Sequence, residues 1–386
     1  MKITDIQAIH VRVEDPNISL FDGSYDDCII RIETDAGLTG IAEIETLADA
    51  VQGIVYARAA HSKARGLREL LIGCDPRDPA ALWDLMYEST CYVGRRGLMM
   101  HAIGGIDIAL WDIAAQAQGV PIHQLLGGAK RNRLEAYGTI YPMAKTEQGV
   151  AKQVEDAKTR LRLRNIKFAA DPWWMDDLAL TGKLLRAARK TLGDEGSLIV
   201  DAALAYRTAQ EGLKLLPILR DVNVLFLEAP LPLDDIEGHA RLAREGVPLG
   251  VGDLGLTHVD EFIEAMDRGG ASICQPDITT VGGFTGIRKI AEAARQRGKR
   301  VITHGYKSNI EIAANLHFLA NHHDTELLEY STSNSPLRWE MTLESLPVEE
   351  DGMVGVPQGP GLGVHLNETA VARYRMPLSF PTEACV

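Results

Sequence analysis

Over the first stretch of the chain, apolar and polar positions alternate with a period of two: "ITDIQAIHVRV", then "CIIRIETDAGLTGIAEI", interrupted at Asp35-Ala36-Gly37. A period of two puts every second side chain on one face, and Asp-Ala-Gly is a turn signal, so this stretch predicts antiparallel strands. From about Ala48 to Gly119 the period lengthens to that of a helix. In "HAIGGIDIALWDIAAQAQG" the residues Ile106, Leu110, Ile113 and Ala117 fall on one helical face. Gly119 and Pro121 close that helix.

From about Leu134 the texture changes. Short apolar runs recur as "EAYGTIY", "NIKFAA", "SLIVDAA", "VLFLEAP", "PLGVGD", "SICQPD", "RVITHG" and "ELLEYS", and helical patterns separate most of them. One such helix is "GIRKIAEAARQRG", with Ile287, Ile290, Ala291 and Ala294 as its apolar stripe. Strands that are apolar throughout, alternating with helices, predict a parallel sheet covered by helices. Eight such units suit a closed β/α barrel better than an open sheet. The chain therefore divides into an α+β unit over residues 1–128 and a barrel over 129–344. The Gly/Pro-punctuated tail, about 345–386, is expected to pack back on the first unit.

Barrel enzymes carry their sites at the C-terminal ends of the strands. Here those ends deliver Tyr141, Lys167, Asp201, Glu228, Asp253, Asp277, His304 and Glu329, a polar or ionisable group from every strand. Crowded carboxylates repel unless a cation or shared protons hold them. Asp201, Glu228 and Asp253 come from consecutive strands and form an oxygen-rich set, the donor type that Mg2+ prefers. Asp277 and His304 end neighbouring strands. A carboxylate on one imidazole nitrogen fixes the tautomer and leaves the other nitrogen as a general base. Glu329 is a candidate hydrogen-bonding acid. Lys167 stands late in the short buried strand Asn165 to Ala170, which breaks at Asp171-Pro172 before Trp173 and Trp174.

Composition adds exclusions. The formal net charge is −13, with acidic and basic residues interspersed, which argues against a nucleic-acid or anionic-membrane surface. An anionic substrate would then need local positive charge, from a metal ion or arginines. The N-terminal segment lacks the apolar core of a signal peptide, and no run reaches the roughly 20 apolar residues of a membrane span. Cys28, Cys74, Cys91, Cys274 and Cys385 are scattered without CxxC spacing, as expected of a reduced cytoplasmic protein.

The segments "GGIDIALWDIAAQAQGVPIHQLLGG", "IVDA", "LFLEAPLP", "VGDLGLT", "QPDITTVGGFTG" and "ITHG", in this order, resemble the mandelate racemase subgroup of the enolase superfamily. The resemblance covers nearly the whole chain. It implies an α+β capping domain, a modified TIM barrel of (β/α)7β type, and abstraction of a proton next to a carboxylate. By motif match, Asp201, Glu228 and Asp253 would hold Mg2+, Asp277 and His304 would form the dyad, and Glu329 the acid at the eighth strand. A homo-oligomer, often an octamer, is also implied. The departures from the family pattern are specific. Where the family carries Lys-x-Lys, this chain has Lys167-Phe168-Ala169, so the second lysine, a base on one substrate face, is missing. Asp201-Ala202-Ala203 replaces Asp-Ala-Asn, Glu228-Ala229-Pro230 replaces Glu-Glu-Pro, and Asp253 stands where glutamate is common.

A site with His304 as sole base favours dehydration of an acid sugar over two-base racemisation, with protonated His304 or Tyr141 assisting departure of the hydroxyl. Lys167 would add positive charge near the substrate carboxylate. Tyr25 and Arg96 on capping loops, and Lys307 on the seventh barrel loop, are candidate substrate contacts. The alternatives are an isomerase, either an epimerase or a lactone cycloisomerase, and a non-catalytic relative.

Overall fold

The computed structural model describes residues 1–15, 22–169, 177–322 and 326–378. Trp173, Trp174 and the Asp171-Pro172 break lie outside them, as does Cys385. Strands β1 (Ile3–Arg12), β2 (Asp26–Thr34) and β3 (Thr39–Ile44) form an antiparallel sheet in the order β1-β2-β3. The β2–β3 turn is the expected one, with Gly37 at φ 76°, a left-handed conformation that glycine adopts without steric cost.

Helices Ala48–Tyr56, Leu67–Leu71, Pro79–Thr90 and Leu98–Gln116 follow. The last is long and apolar enough to cross a membrane, yet it is the central core helix. All its residues except Leu98, His101 and Gln116 are buried, so the single apolar stripe of Ile106, Leu110 and Ile113 understates its burial. The reason is that it is covered on two sides. One side packs on β2 and β3, and the other meets barrel helix Gly283–Gln296. Trp111 Nε1 donates to Thr285 Oγ1 at 3.1 Å, and Asp107 accepts from the Thr285 backbone N at 2.9 Å.

The second sheet consists of β4 (Arg133–Ile140), β5 (Asn165–Ala169), β6 (Leu198–Asp201), β7 (Leu227–Glu228), β8 (Leu249–Val251), β9 (Ile273–Cys274), β10 (Arg300–Val301) and β11 (Leu328–Ser331). Their pairings are all parallel, in the order β10-β9-β8-β7-β6-β5-β4-β11. Each of the first seven is followed by helix before the next strand, and β11 closes against β4. This is the (β/α)7β plan. Burial on both faces explains why β5 reads "NIKFA" and is buried at every position.

The tail divides its contacts. Strand β12 (Met353–Gly355) pairs antiparallel with β4 of the barrel. Beyond it, Leu362 N donates to Asp112 Oδ1 at 2.9 Å, and Met376 N donates to the His10 carbonyl at 2.8 Å, so the tail also reaches the first sheet.

Candidate active site

Alternation along each barrel strand builds the site in layers. Tyr137, Ile199, Phe226, Ile273, Ile302 and Leu327 form a separate buried cluster, the apolar floor of the barrel interior. Two residues further along each strand, on the same face, stand Thr139, Asp201, Glu228, Gln275, His304 and Glu329. Asp277 stands one more step along, beyond β9. The polar residues face the barrel interior because the strand period puts them above the floor.

Lys167 lies at the centre of the polar layer. It is 2% exposed, and its Nζ sits 2.6 Å from Glu228 Oε1 and 2.8 Å from Glu329 Oε1. Burial would favour the neutral amine, but the charges of Glu228 and Glu329 prevail and hold its pKa well above the ordinary value. Lys167 is thus a fixed cation, without a lone pair to act as a base. Glu228 Oε2 accepts from Gln275 Nε2 at 2.5 Å. Gly250 makes room for that contact, since a Cβ there would come within 2.0 Å of Gln275 Oε1. Glu329 is met by Lys167, Tyr137 Oη at 3.0 Å, the Gly305 backbone N at 3.2 Å, and Thr139 Oγ1. Burial raises its pKa, but Lys167 and His304 outweigh that and lower it. Glu329 is therefore held as a carboxylate acceptor, whereas the sequence suggested an acid. The cause is the convergence of donors that only folding brings together.

Asp201 and Glu228 are register neighbours, and Asp253 follows β8. Burial pushes Asp201 up to about 6 and Glu228 up to about 7, with Lys167 opposing, and burial and the Glu228 charge raise Asp253. The backbone behind them is strained. Ala203 and Ala229 have φ values of 47° and 41°, left-handed conformations that cost a non-glycine residue about 1–2 kcal/mol each. Hydrogen bonds hold them there: Ala203 N donates to Asp201 Oδ1 at 2.8 Å, and Leu204 N donates to the Ala229 carbonyl at 2.8 Å. These are two of the positions where the sequence departs from the family pattern.

On the other side of the rim, β9 and β10 extend as an isolated bridge between Asp277 and His304. His304 Nδ1 is 2.9 Å from Asp277 Oδ2. A carboxylate can only accept, so Nδ1 carries the hydrogen of this bond. Thr279 fixes the other oxygen, its N and Oγ1 donating to Asp277 Oδ1 at 2.7 and 2.5 Å. Burial opposes charge on His304, but Glu329, Asp277 and Glu45 raise it to about 10. Residues Glu45, Asp277, His304 and Glu311 are all buried, with ligating atoms all within 4.8 Å of one another, a group that could hold a metal ion or shared protons.

Residues 149–370 match the family model described as enolase C-terminal domain-like, and residues 23–127 match that of the mandelate racemase / muconate lactonizing enzyme N-terminal domain. The chain belongs to this family. It is an enzyme of the enolase superfamily, which sets aside a non-catalytic relative. It is 29% identical to the D-galactarolactone cycloisomerase of Agrobacterium fabrum over 368 residues, 90% of this chain and 91% of that one. It is 30% identical to the arabinonate dehydratase of Saccharolobus solfataricus over 349 residues, 89% of each chain. The crystal structure of the 3,6-anhydro-D-galactonate cycloisomerase from Zobellia galactanivorans superposes with a TM-score of 0.86 at 26% identity, covering 98% of this chain and 100% of that one.

Enolase-superfamily enzymes use a metal ion, and the trio Asp201, Glu228 and Asp253 fits one. All three are oxygen donors, and their raised pKa values record mutual repulsion and burial that a cation would relieve. Lys167 offsets part of that charge.

The remaining sequence candidates fall into different places. Tyr141 and Tyr25 line a cavity of about 290 Å3 with Tyr306, Ser333 and Asn334, at the capping side of the barrel mouth. The Tyr141 and Tyr306 rings meet edge to face at 5.8 Å. Lys307, by contrast, is 3% exposed and donates to the carbonyls of Gly23 and Asp26 at 2.5 and 2.6 Å. Those contacts tie it to the capping loop rather than to a substrate. Arg96 Nη2 reaches Asp260 at 3.3 Å and its Nε lies 3.5 Å from Glu261, so it bridges the capping domain to helix Val259–Asp267. Sequence reasoning missed Tyr137, Thr139 and Gln275, which stepping back by twos along β4 and β9 would have found. It also missed Glu45 and Glu311, for which the chain offers no local signal.

Proposed function

We propose that this enzyme is a Mg2+-dependent hydro-lyase of an acid sugar, an aldonate or aldarate, releasing water to give a 2-keto-3-deoxy acid. The observation that carries this reading is the one-sidedness of the proton-transfer machinery. The His304–Asp277 pair stands on one side of the rim. Ala169, 2% exposed and paired in register with Asp201, stands where relatives of the resembled type carry a lysine base. A single base suits elimination, in which both departing groups can be served from one side.

Asp201, Glu228 and Asp253 would hold the metal, which when bound supplies positive charge to the substrate carboxylate and to the charge that develops on it. His304 Nε2 would take the α-proton from the neutral form of the imidazole, a form that positive charge added at the mouth favours over the imidazolium. Asp277 holds the imidazole's orientation and stabilises the imidazolium that forms. Lys167 holds Glu228 and Glu329 adjacent, favours the charged form of each, and contributes its own positive potential. Tyr25 and Tyr141 face the cavity in which the hydroxylated tail of a small carboxylate substrate would sit. The proposal includes a homo-oligomeric, cytoplasmic enzyme, the first from the family resemblance and the second from cysteines without CxxC spacing.

The test is incubation of the purified enzyme and Mg2+ with a panel of aldonic and aldaric acids, with keto-acid product trapped by semicarbazide. No product across the panel, with metal bound, rejects the reading. A second reading, lactone cycloisomerase, draws on the similarity to two cycloisomerases. It predicts solvent deuterium in a product that has lost no water.

A further inference from the structure

One carboxyl approaches the dyad from outside the barrel. Glu45 follows β3 of the capping sheet, is 8% exposed, and has a buried Oε2 without a hydrogen-bond partner. A ligating atom of Glu45 lies within 4.8 Å of those of His304, Asp277 and Glu311. Its placement is built rather than incidental. Glu45 N donates to Thr279 Oγ1 at 3.2 Å, and that hydroxyl donates to Asp277 Oδ1 at 2.5 Å, so one chain of hydrogen bonds runs from Glu45 to the dyad. The capping loop closes over the carboxyl at Gly23, where a Cβ would stand 2.9 Å from Glu45 Oε1. The neighbouring charges are Lys307, His304, Asp277 and Glu329, and burial outweighs the cations to raise the Glu45 carboxyl.

We propose that Glu45 is the second proton-transfer group of this site, the acid that protonates the departing β-hydroxyl. The proposal rests on the dehydration reading above. An unpartnered buried carboxyl oxygen beside a base, here Glu45 Oε2, is unfavourable unless it carries a proton or meets a ligand. Glu45 does both in this scheme. His304 Nε2 takes the α-proton, and the C–H electron pair becomes the new carbon–carbon double bond. The β carbon–oxygen bond breaks, its pair leaves with oxygen, and the oxygen takes the Glu45 proton and departs as water. The enol then loses its O–H proton to Glu45, and the His304 imidazolium delivers its proton to the β-carbon. Substrate has become keto acid plus water, and both groups are restored.

The experiment compares full-length, Mg2+-loaded wild type and Glu45→Gln in D2O, with the acid-sugar panel as probe. Keto-acid formation by Glu45→Gln is expected to fall about 100-fold or more, while α-hydrogen exchange for deuterium stays within about threefold of wild type. Retained exchange also reports an intact fold. Glu45→Asp, which keeps the acid on a shorter stem, is expected to recover part of the elimination. Unchanged keto-acid formation in Glu45→Gln overturns the proposal. Equal loss of exchange and elimination also overturns it, because Glu45 would then act through the dyad. A wild type that exchanges the α-hydrogen but releases no keto acid rejects the dehydration reading itself.

Discussion

The two halves of the barrel mouth balance buried charge by different means. Around Asp201, Glu228 and Asp253 the compensation is cationic: Lys167 lies within 2.8 Å of both Glu228 and Glu329, in a donor set suited to a divalent ion. Around Asp277 the compensation is protonic. His304 and Thr279 meet Asp277 by hydrogen bonds, and the carboxyls of Glu45 and Glu311 lie in the same buried group. The first half is built wholly from barrel strands. The second borrows Glu45 from the capping sheet. The difference teaches that one rim separates electrostatic stabilisation from proton transfer by choosing which counter-charge is mobile, since a proton can leave and a buried lysine cannot.

The sharpest break in this comparison is on the protonic side. His304→Asn removes the base and is expected to lower turnover by about 100- to 10,000-fold while leaving metal affinity in calorimetry unchanged. Activity close to wild type would place the base elsewhere. On the cationic side, Lys167→Met leaves two buried carboxylates without their counter-ion. Breaking a buried pair in this way typically costs about 3–5 kcal/mol, read from chemical denaturation in EDTA. Added Mg2+ should return part of that loss, because a cation replaces the missing charge.

The halves also differ in how they answer to pH. Glu228 at about 7 and Asp201 at about 6 lie above the ordinary carboxylate range, so the folded state keeps protons that the unfolded chain releases. Their contribution to stability is full at low pH and is lost as pH rises from about 4 to about 7. His304, raised to about 10, continues the same slope between about 6.5 and about 10. The metal-free enzyme should therefore melt at lower temperature as pH rises across neutrality. Mg2+ should flatten the lower part of that slope, since it binds the deprotonated carboxylates. A metal-free melting temperature that climbs from pH 5 to 8 would contradict the assignment. Added Mg2+ should also lower the His304 pKa, followed by imidazole NMR, by adding positive charge across the mouth. The smallest effect is expected at Arg96, outside both halves. Arg96→Ala removes partly exposed ion pairs to Asp260 and Glu261, worth about 0–1 kcal/mol, and should leave turnover within about twofold.

Much of this site was legible before folding because period-two alternation and the strand-end rule act locally. Asp201, Glu228, Asp253, Asp277, His304 and Glu329 each end an apolar run, and the structure places all of them at one mouth. Lys167 was legible as an anomaly, a cation inside an apolar strand. Its pairing with Glu228 and Glu329 was not, because those partners lie 61 and 162 positions away. Lys307 and Arg96 looked like substrate contacts because charged loop residues carry no sign of what will cover them.

The sequence by itself determined the element types, the eight-strand rhythm and the ring of polar strand ends, since each follows from the spacing of residues a few positions apart. Tertiary structure alone decided the chemical state of that ring. Whether Glu329 is an acid or a carboxylate, which carboxylates Lys167 pairs with, and that Glu45 lies beside the dyad depend on burial and on charges within a few ångströms. Electrostatic energy depends on distance in space and on desolvation, and neither is written in the order of the chain.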